Sequence, residues 1–304
     1  MSWRVIEVSN QDFLLLKEHN RAIECTMVDG VRLIPNEGIE LVSENGQRLN
    51  AIYDPSVGIR KIRDNNPYYS HSKNRDLALL NDMLSNPDVD TIILDGYFGT
   101  GKTSNVMAHV VYYMKNNKNA KVYISKPHVP VGASYGHLPG ELKDKIHFEF
   151  KSYYQYIDRF WGKGMSDKLI MMANATDALK QSMAYKELGG IILEALPFEY
   201  IRGLDIEEGW VILDETQNTN IQEVASFVSR LGKNVKFVAL GDTSSAQIDR
   251  KSVVNPGKNG FAFLKEVYKD KPYSGSIGLN TRDHILRGNR VKHLHDAISS
   301  LTNF

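Results

Sequence analysis

A glycine-bounded string ending in lysine and threonine constrains this chain more than any other feature. Gly96, Tyr97, Phe98, Gly99, Thr100, Gly101, Lys102 and Thr103 read G-x-x-x-x-G-K-T, directly after the apolar run Thr91-Ile-Ile-Leu-Asp95. Glycines let a backbone curl so that successive N–H groups point inward at an anion, which also meets the positive end of the following helix. In such a loop Lys102 reaches the β- and γ-phosphates of a nucleotide, and the Thr103 hydroxyl takes one Mg²⁺ position. The competing reading is a glycine-rich strand-to-helix turn with an exposed lysine. The flanks speak against it. A buried-type strand comes before, and Val106, Val110, Val111 and Met114 give the next segment an apolar helical stripe.

Composition bounds the rest. With 304 residues and 42% hydrophobic content, the chain can bury a substantial core and hold one large or two modest domains. No apolar run approaches the roughly 18 residues of a membrane span, and the N-terminus lacks the apolar stretch of a leader. The single cysteine, Cys25, excludes an internal disulfide framework and fits a reducing cytoplasm. It reads better as a small buried residue than as a nucleophile. A net charge of +1 supplies no overall field for nucleic acid, so any polyanion site must be a local patch.

Residues 1–62 read as a small β-rich module. Residues 3–8 suit a strand and 11–19 a short helix, while 39–43 and 48–53 alternate around Glu44-Asn45-Gly46-Gln47. Asn-Gly between alternating runs is a strong hairpin signal. A polar stretch at 63–74 marks a boundary, and residues 63–304 form the second domain. There Asn74 caps a helix carrying Leu77, Leu80, Met83 and Leu84. Further strands are expected at 121–125, 190–194, 210–214, 236–241 and 276–279, and helices at 221–231, 261–269 and 291–301. Such alternation implies an α/β fold with a mainly parallel sheet between helices.

Two more strings carry chemistry. Trp210-Val-Ile-Leu-Asp214-Glu215-Thr-Gln217 describes a buried strand delivering two carboxylates to the sheet's C-terminal edge, where ligands bind in open α/β sheets. Paired with the phosphate loop, Asp214 is expected to hold Mg²⁺ through water, and Glu215 to orient and deprotonate the attacking water. Lys236-Phe-Val-Ala-Leu-Gly241-Asp242 is another buried strand ending in a carboxylate, followed by Gln247. In nucleotide-driven motors a polar residue on this strand senses the γ-phosphate; a surface turn is the plainer alternative.

Here the chain resembles the PhoH-like ATPase family, across roughly residues 70–300. Residues 96–103 resemble its phosphate loop, with Phe98 where a small residue is usual. Lys126-Pro127-His-Val-Pro-Val-Gly132, continuing to His137-Leu-Pro139-Gly140 and Lys145, is similar to the family signature between the nucleotide motifs. Glu194-Ala-Leu-Pro197-Phe-Glu-Tyr-Ile-Arg202-Gly203 resembles the segment leading into the acidic strand, with Leu204 in place of a second arginine. Asp214-Glu215-Thr-Gln217-Asn218, Ser229-Arg230-Leu-Gly232 with Gly241-Asp242, and Asp283-His-Ile-Leu-Arg287 complete the series in order. Leu77 stands where the family usually has an adenine-reading glutamine, and four residues separate Asp242 from Gln247 where two are usual. Pro35-Asn36-Glu37 resembles a segment of longer relatives fused to a nuclease domain; no nuclease domain or ribonuclease activity is expected here.

What the resemblance implies is a RecA-like P-loop NTPase core related to superfamily 1 helicases, with a role in RNA metabolism and with ATP and Mg²⁺ as cofactors. The implied catalytic set is Lys102, Asp214, Glu215, Gln217, Asp242, Gln247 and Arg287. Nucleotide contacts fall on residues 96–103, Ser104, Arg202 and Arg230, and metal contacts on Thr103 and Asp214. Helicases of that superfamily close ATP between two lobes of one chain, one lobe supplying an arginine. This chain carries one phosphate loop and too few residues after Leu279 for a second lobe, so a homo-oligomer, a ring in the simplest case, is expected to supply that arginine. Arg202, Arg230 and Arg287 are the candidates for γ-phosphate or subunit-interface contacts, against surface ion pairs.

Contact with single-stranded RNA or DNA rests on Phe148, Phe150, Tyr153, Tyr154, Tyr156, Phe160 and Trp161, interleaved with Lys143, Lys145, Lys151 and Arg159. Two readings stand: a stacking platform, or a core or subunit-interface stripe. Arg282, Arg287, Arg290 and Lys292 form a second basic cluster or a solvated helix face. For function, a nucleic-acid motor stands beside an ATP-gated switch or scaffold, with a small-molecule kinase behind both. The expected setting is the cytoplasm, of a bacterium or of a virus's host, with no membrane partner.

Overall fold

The computed structural model describes residues 3–68, 74–128, 142–173, 188, 190–201, 203–244 and 258–301. Its N-terminal elements are β1 (Arg4–Val8), α1 (Asn10–His19), β2 (Met27–Val28), β3 (Val31–Arg32), β4 (Gly38–Ser43), β5 (Arg48–Asp54) and β6 (Gly58–Lys61). Then come α2 (Arg75–Ser85), β7 (Thr91–Gly96), α3 (Lys102–Asn116), β8 (Lys121–Lys126), α4 (Leu142–Trp161), α5 (Met165–Ala173) and β9 (Ile192–Pro197). The rest are β10 (Ile206–Leu213), α6 (Ile221–Val228), β11 (Leu231–Gly241), α7 (Gly260–Tyr268), β12 (Ser274–Leu279) and α8 (Gly288–Leu301). Six strands form an all-parallel sheet flanked by helices, in the order β12-β7-β11-β10-β8-β9. The α/β expectation and the small β-rich N-terminal module are both present.

Two compact units divide the chain, Met1–Leu94 with Leu264–Leu279, and Asp95–Phe263 with Asn280–Phe304. In the first, β1 pairs in parallel with β4, and β4-β5-β6 continue antiparallel. The turn at Asn45-Gly46 closes as its residues demand: Gly46 has a positive φ of 75°, and Ser43 N–H donates to Gln47 O at 2.9 Å. Phe13 and Leu16 of α1 join Ile6, Leu41 and Ile59 in one apolar cluster, with Cys25 packed at its margin. Asn74 Oδ1 accepts from the N–H groups of Asp76 and Leu77 at 3.0 and 3.2 Å, the cap expected for α2. The four-stranded sheet ends at Lys61, whereas the compact unit that contains it runs on to Leu94.

A buried ion triad lies in this unit. Arg60 donates to Asp54 at 2.8 Å and takes both carboxylate oxygens of Asp82 at 2.7 Å. Burial opposes ionisation of Asp54, but hydrogen bonds from Arg60 and Ser56 outweigh it and hold its pKa below the ordinary value. Burial likewise opposes the Arg60 charge, and the two carboxylates overcome that and raise its pKa.

In the second unit β11-β10-β8-β9 run parallel in unbroken register from β8 to β9. Val106, Val110, Val111 and Met114 of α3 are fully buried, the stripe that periodicity predicts. The helical spacing at 221–231 overshoots. Helix α6 stops at Val228, and β11 begins at Leu231, because pairing with β10 starts there. Gly232 makes room for that pairing: a Cβ on it would stand 3.0 Å from Glu207 Cα. Among the described residues, no helix is long and apolar enough to cross a membrane.

Candidate active site

All side chains of the candidate site described here belong to the second unit. At the end of β7 the chain turns through Gly99 and Gly101, with φ of 79° and 83°, and enters α3 at Lys102. Both conformations lie where a side chain is strained. Space is also limited. A Cβ on Gly99 would come within 3.1 Å of Val291 Cγ1, and one on Gly101 within 3.1 Å of Leu286 Cδ1. The loop is closed by its own bonds, Thr100 Oγ1 to Tyr97 O at 2.8 Å and Asn105 Nδ2 to Gly101 O at 2.9 Å. Lys102 Nζ donates to Gly96 O and, at 3.0 Å, to Tyr97 O. Ser104 follows in the first turn of the 15-residue α3, whose N-terminal N–H groups face an anion favourably.

The segment around α8 packs on this loop. Leu286 N–H donates to Gly99 O at 2.9 Å, and the His295 ring lies 4.3 Å from Tyr97 and 6.0 Å from Phe98, centroid to centroid. Phe98 is therefore accommodated as an aromatic neighbour of His295. Arg287 is brought beside the loop: its Cβ and Cδ would stand 3.5 Å from a Cβ on Gly99.

Strand β10 delivers the acidic pair. Asp214 Oδ2 accepts from Thr103 Oγ1 at 3.0 Å across 111 residues of sequence, and Oδ1 from Glu215 N–H at 2.8 Å. Glu215 sits in the left-handed region, φ 53° and ψ 35°, with an exposed side chain. For a non-glycine residue that backbone costs about 1–3 kcal/mol and is typical of functional positions. Gln217 Nε2 donates to Glu215 Oε2 at 2.6 Å while its Oε1 accepts from Asp242 N–H at 3.2 Å. One buried amide thus ties the ends of β10 and β11 together. Burial pushes the Asp242 pKa up, against hydrogen bonds from Ser244 and the charge of Lys102.

Hard oxygen donors suit Mg²⁺, which takes one or two protein ligands and completes its shell with water and phosphate oxygens. Thr103 and Asp214 provide such a pair, and among the described residues no group of three or more His, Cys, Asp or Glu side chains could hold a metal. The donor set fits the ion.

Two residues have roles at this site that their place in the sequence did not announce, Asp95 at the end of an apolar strand and Tyr153 within the aromatic run. Asp95, the last residue before the loop, accepts from Thr243 N–H at 3.0 Å, Thr243 Oγ1 at 2.8 Å and Asn280 Nδ2 at 3.1 Å. Tyr153 of α4 donates from its hydroxyl to Asp214 Oδ2 at 2.8 Å. Burial, then the Asp214 charge, raises the Tyr153 pKa well above the ordinary value, so the phenol keeps its proton.

Not every expected residue converges. Arg230 precedes β11, whereas Asp242 follows its last residue; the 11-residue strand between them spans about 36 Å at ~3.3 Å per residue. Arg230 therefore does not reach this loop within one chain. Arg202 and Gln247 lie outside the described residues, as do residues 129–140 of the signature; of the Lys143 and Lys145 side chains nothing is described. The stacking-platform reading of the aromatic run needs correction. Phe150, Tyr153, Tyr154 and Phe160 are buried, because positions 150, 153, 154, 157 and 160 share one face of α4, a helix packed against α3, α5 and β9. Among the described aromatic side chains of the run, Phe148 alone is largely open to solvent, at 74%.

A parallel sheet, a glycine loop opening a helix, and an acidic strand end meeting that helix through Thr103 and Asp214 define a P-loop NTPase of the RecA-like α/β class. The chain belongs to the PhoH family, described as PhoH-like protein, which matches residues 72–299. It is 31% identical over 208 residues to Protein PhoH2 of Bacillus subtilis (strain 168), covering 68% of this chain and 43% of that protein. With a PhoH-like protein of the same organism it shares 33% identity over 194 residues, 64% of this chain and 54% of the relative. Protein PhoH2 of Thermobispora bispora is 25% identical over 242 residues, 79% of this chain and 50% of the relative. The chain thus spans about half the length of these curated relatives.

Proposed function

We propose that this protein binds ATP with Mg²⁺ and hydrolyses it, as a helicase-like motor or remodeller working on RNA or single-stranded DNA. The observation that carries the chemistry is the meeting of Thr103 and Asp214 at 3.0 Å beside Lys102 and Glu215. The glycine loop and the α3 N-terminus bind the phosphates, and Lys102 neutralises their charge. Mg²⁺, held by Thr103 and Asp214, supplies further charge neutralisation when bound. Glu215, steadied by Gln217, orients the attacking water and takes its proton. Asp242 and Gln217 link that base to the neighbouring strand, the position from which a γ-phosphate is sensed.

A homo-oligomer, in its simplest form a ring, completes the site in this reading. Arg230, distant from the loop in its own chain, suits a role toward a neighbouring subunit, and Arg287 suits one in its own. The cytoplasm is the setting.

Burial of most of the aromatic face of α4 favours a second reading, an ATP-gated oligomeric switch or scaffold without unwinding. Steady-state ATP hydrolysis with and without single-stranded RNA or DNA, using Lys102→Ala as blank, separates the two. Several-fold stimulation supports the motor. Lys102-dependent turnover indifferent to nucleic acid supports the switch, and absence of any Lys102-dependent turnover overturns both.

A further inference from the structure

We propose that Tyr153 is a positioning residue that fixes the Asp214 carboxylate and thereby sets the divalent-cation affinity of the site. This rests on the ATP and Mg²⁺ reading above and goes beyond it, since no motif includes Tyr153. The hydroxyl lies 2.8 Å from Asp214 Oδ2, and the two residues are 3% and 7% exposed. Asp214 receives three described donors from three places: Thr103 on α3, Tyr153 on α4, and the N–H of Glu215 beyond β10. A carboxylate turns readily about its terminal torsion, so its donors choose its orientation. Thr103 has one hydrogen, which goes to Oδ2 and leaves its lone pairs for a cation. The phenol of Tyr153 supplies the second bond to the same oxygen, and a hydrogen bond to an ionised acceptor is the stronger kind. Its ring is seated in the buried face of α4, 5.7 Å from that of Phe150, so the hydroxyl is placed by helix packing. Packing of α4 thus reaches the cation site through one hydrogen bond. Groups that orient metal ligands are commonly worth 10–100-fold in metal affinity.

The test uses the full chain as wild type, Tyr153→Phe, Asp214→Asn and the double variant. A fluorescent ATP analogue is titrated at equilibrium without divalent cation and then against Mg²⁺, with Mn²⁺ binding followed by electron paramagnetic resonance. Tyr153→Phe is expected to raise the half-saturating cation concentration about 10-fold. It should leave nucleotide affinity without cation unchanged and add nothing in the Asp214→Asn background. Tyr153→Met, which also deletes the hydroxyl, should reproduce the shift, and thermal melting without ligand tests whether each variant folds. Wild-type cation dependence in a folded Tyr153→Phe or Tyr153→Met protein overturns the inference, as does the same shift in the Asp214→Asn background. Wild-type protein whose nucleotide binding ignores Mg²⁺ overturns the ATP and Mg²⁺ reading itself, and this inference with it.

Discussion

Thr103 Oγ1 donates to Asp214 Oδ2 at 3.0 Å, joining the first turn of α3 to the end of β10. That bond links the loop's helix directly to the acidic strand end within one site. Thr103→Val keeps the branched shape and removes the hydroxyl. Mg²⁺-dependent strengthening of nucleotide binding should be lost, while cation-independent binding persists; equilibrium titration of a fluorescent nucleotide with and without Mg²⁺ checks this.

Glu215→Gln retains an acceptor for Gln217 and removes only the base. Nucleotide affinity should stay within about 2-fold of wild type, and turnover should fall by about 10²–10⁴, the usual weight of a positioned base. Normal single-turnover hydrolysis by this variant would remove Glu215 from the mechanism.

Gly101→Ala places a Cβ at φ 83° and within 3.1 Å of Leu286 Cδ1. The left-handed backbone alone costs about 1–2 kcal/mol. Denaturant unfolding should register that loss, and nucleotide affinity should fall with it because the loop N–H groups are re-aimed.

Arg60→Met leaves Asp54 and Asp82 buried without their cation. Removing one partner of such a cluster costs about 3–5 kcal/mol at neutral pH. Since the Asp54 pKa is lowered on folding, its contribution is full above the ordinary carboxylate range and is lost as pH falls through the folded value. The gap between wild type and variant, read from urea unfolding at several pH values, should therefore narrow on acidification.

Asp242 has the opposite sign. Its pKa is raised by burial, so the ionised side chain penalises the fold above the folded pKa, and the penalty vanishes below the unfolded value of about 3.9. Asp242→Asn should melt higher than wild type at pH 7.5, converge with it below about pH 4, and hydrolyse nucleotide more slowly. A variant that melts lower at pH 7.5 would show that ionised Asp242 stabilises the fold.

Much of this protein was legible in local sequence. The phosphate loop needs glycine at two left-handed positions and a lysine and threonine opening a helix, so its chemistry is written in eight adjacent residues. The apolar stripe of α3, the Asn45-Gly46 turn and the Asn74 cap were legible for the same reason: neighbours along the chain determine them. Other features depend on residues far apart in the chain. Leu231 enters a strand because β10 offers a partner. Asp95 finds Thr243 and Asn280, 148 and 185 residues away, and Tyr153 finds Asp214 across 61. The aromatic run of α4 reads alike as stacking platform or core, since an aromatic side chain serves either and only packing decides which face is covered. Residue types and their periods determined the P-loop class and the identity of its reactive groups. Tertiary structure decided which carboxylate is held by which donor, because hydrogen bonds and burial form between elements that sequence order leaves apart.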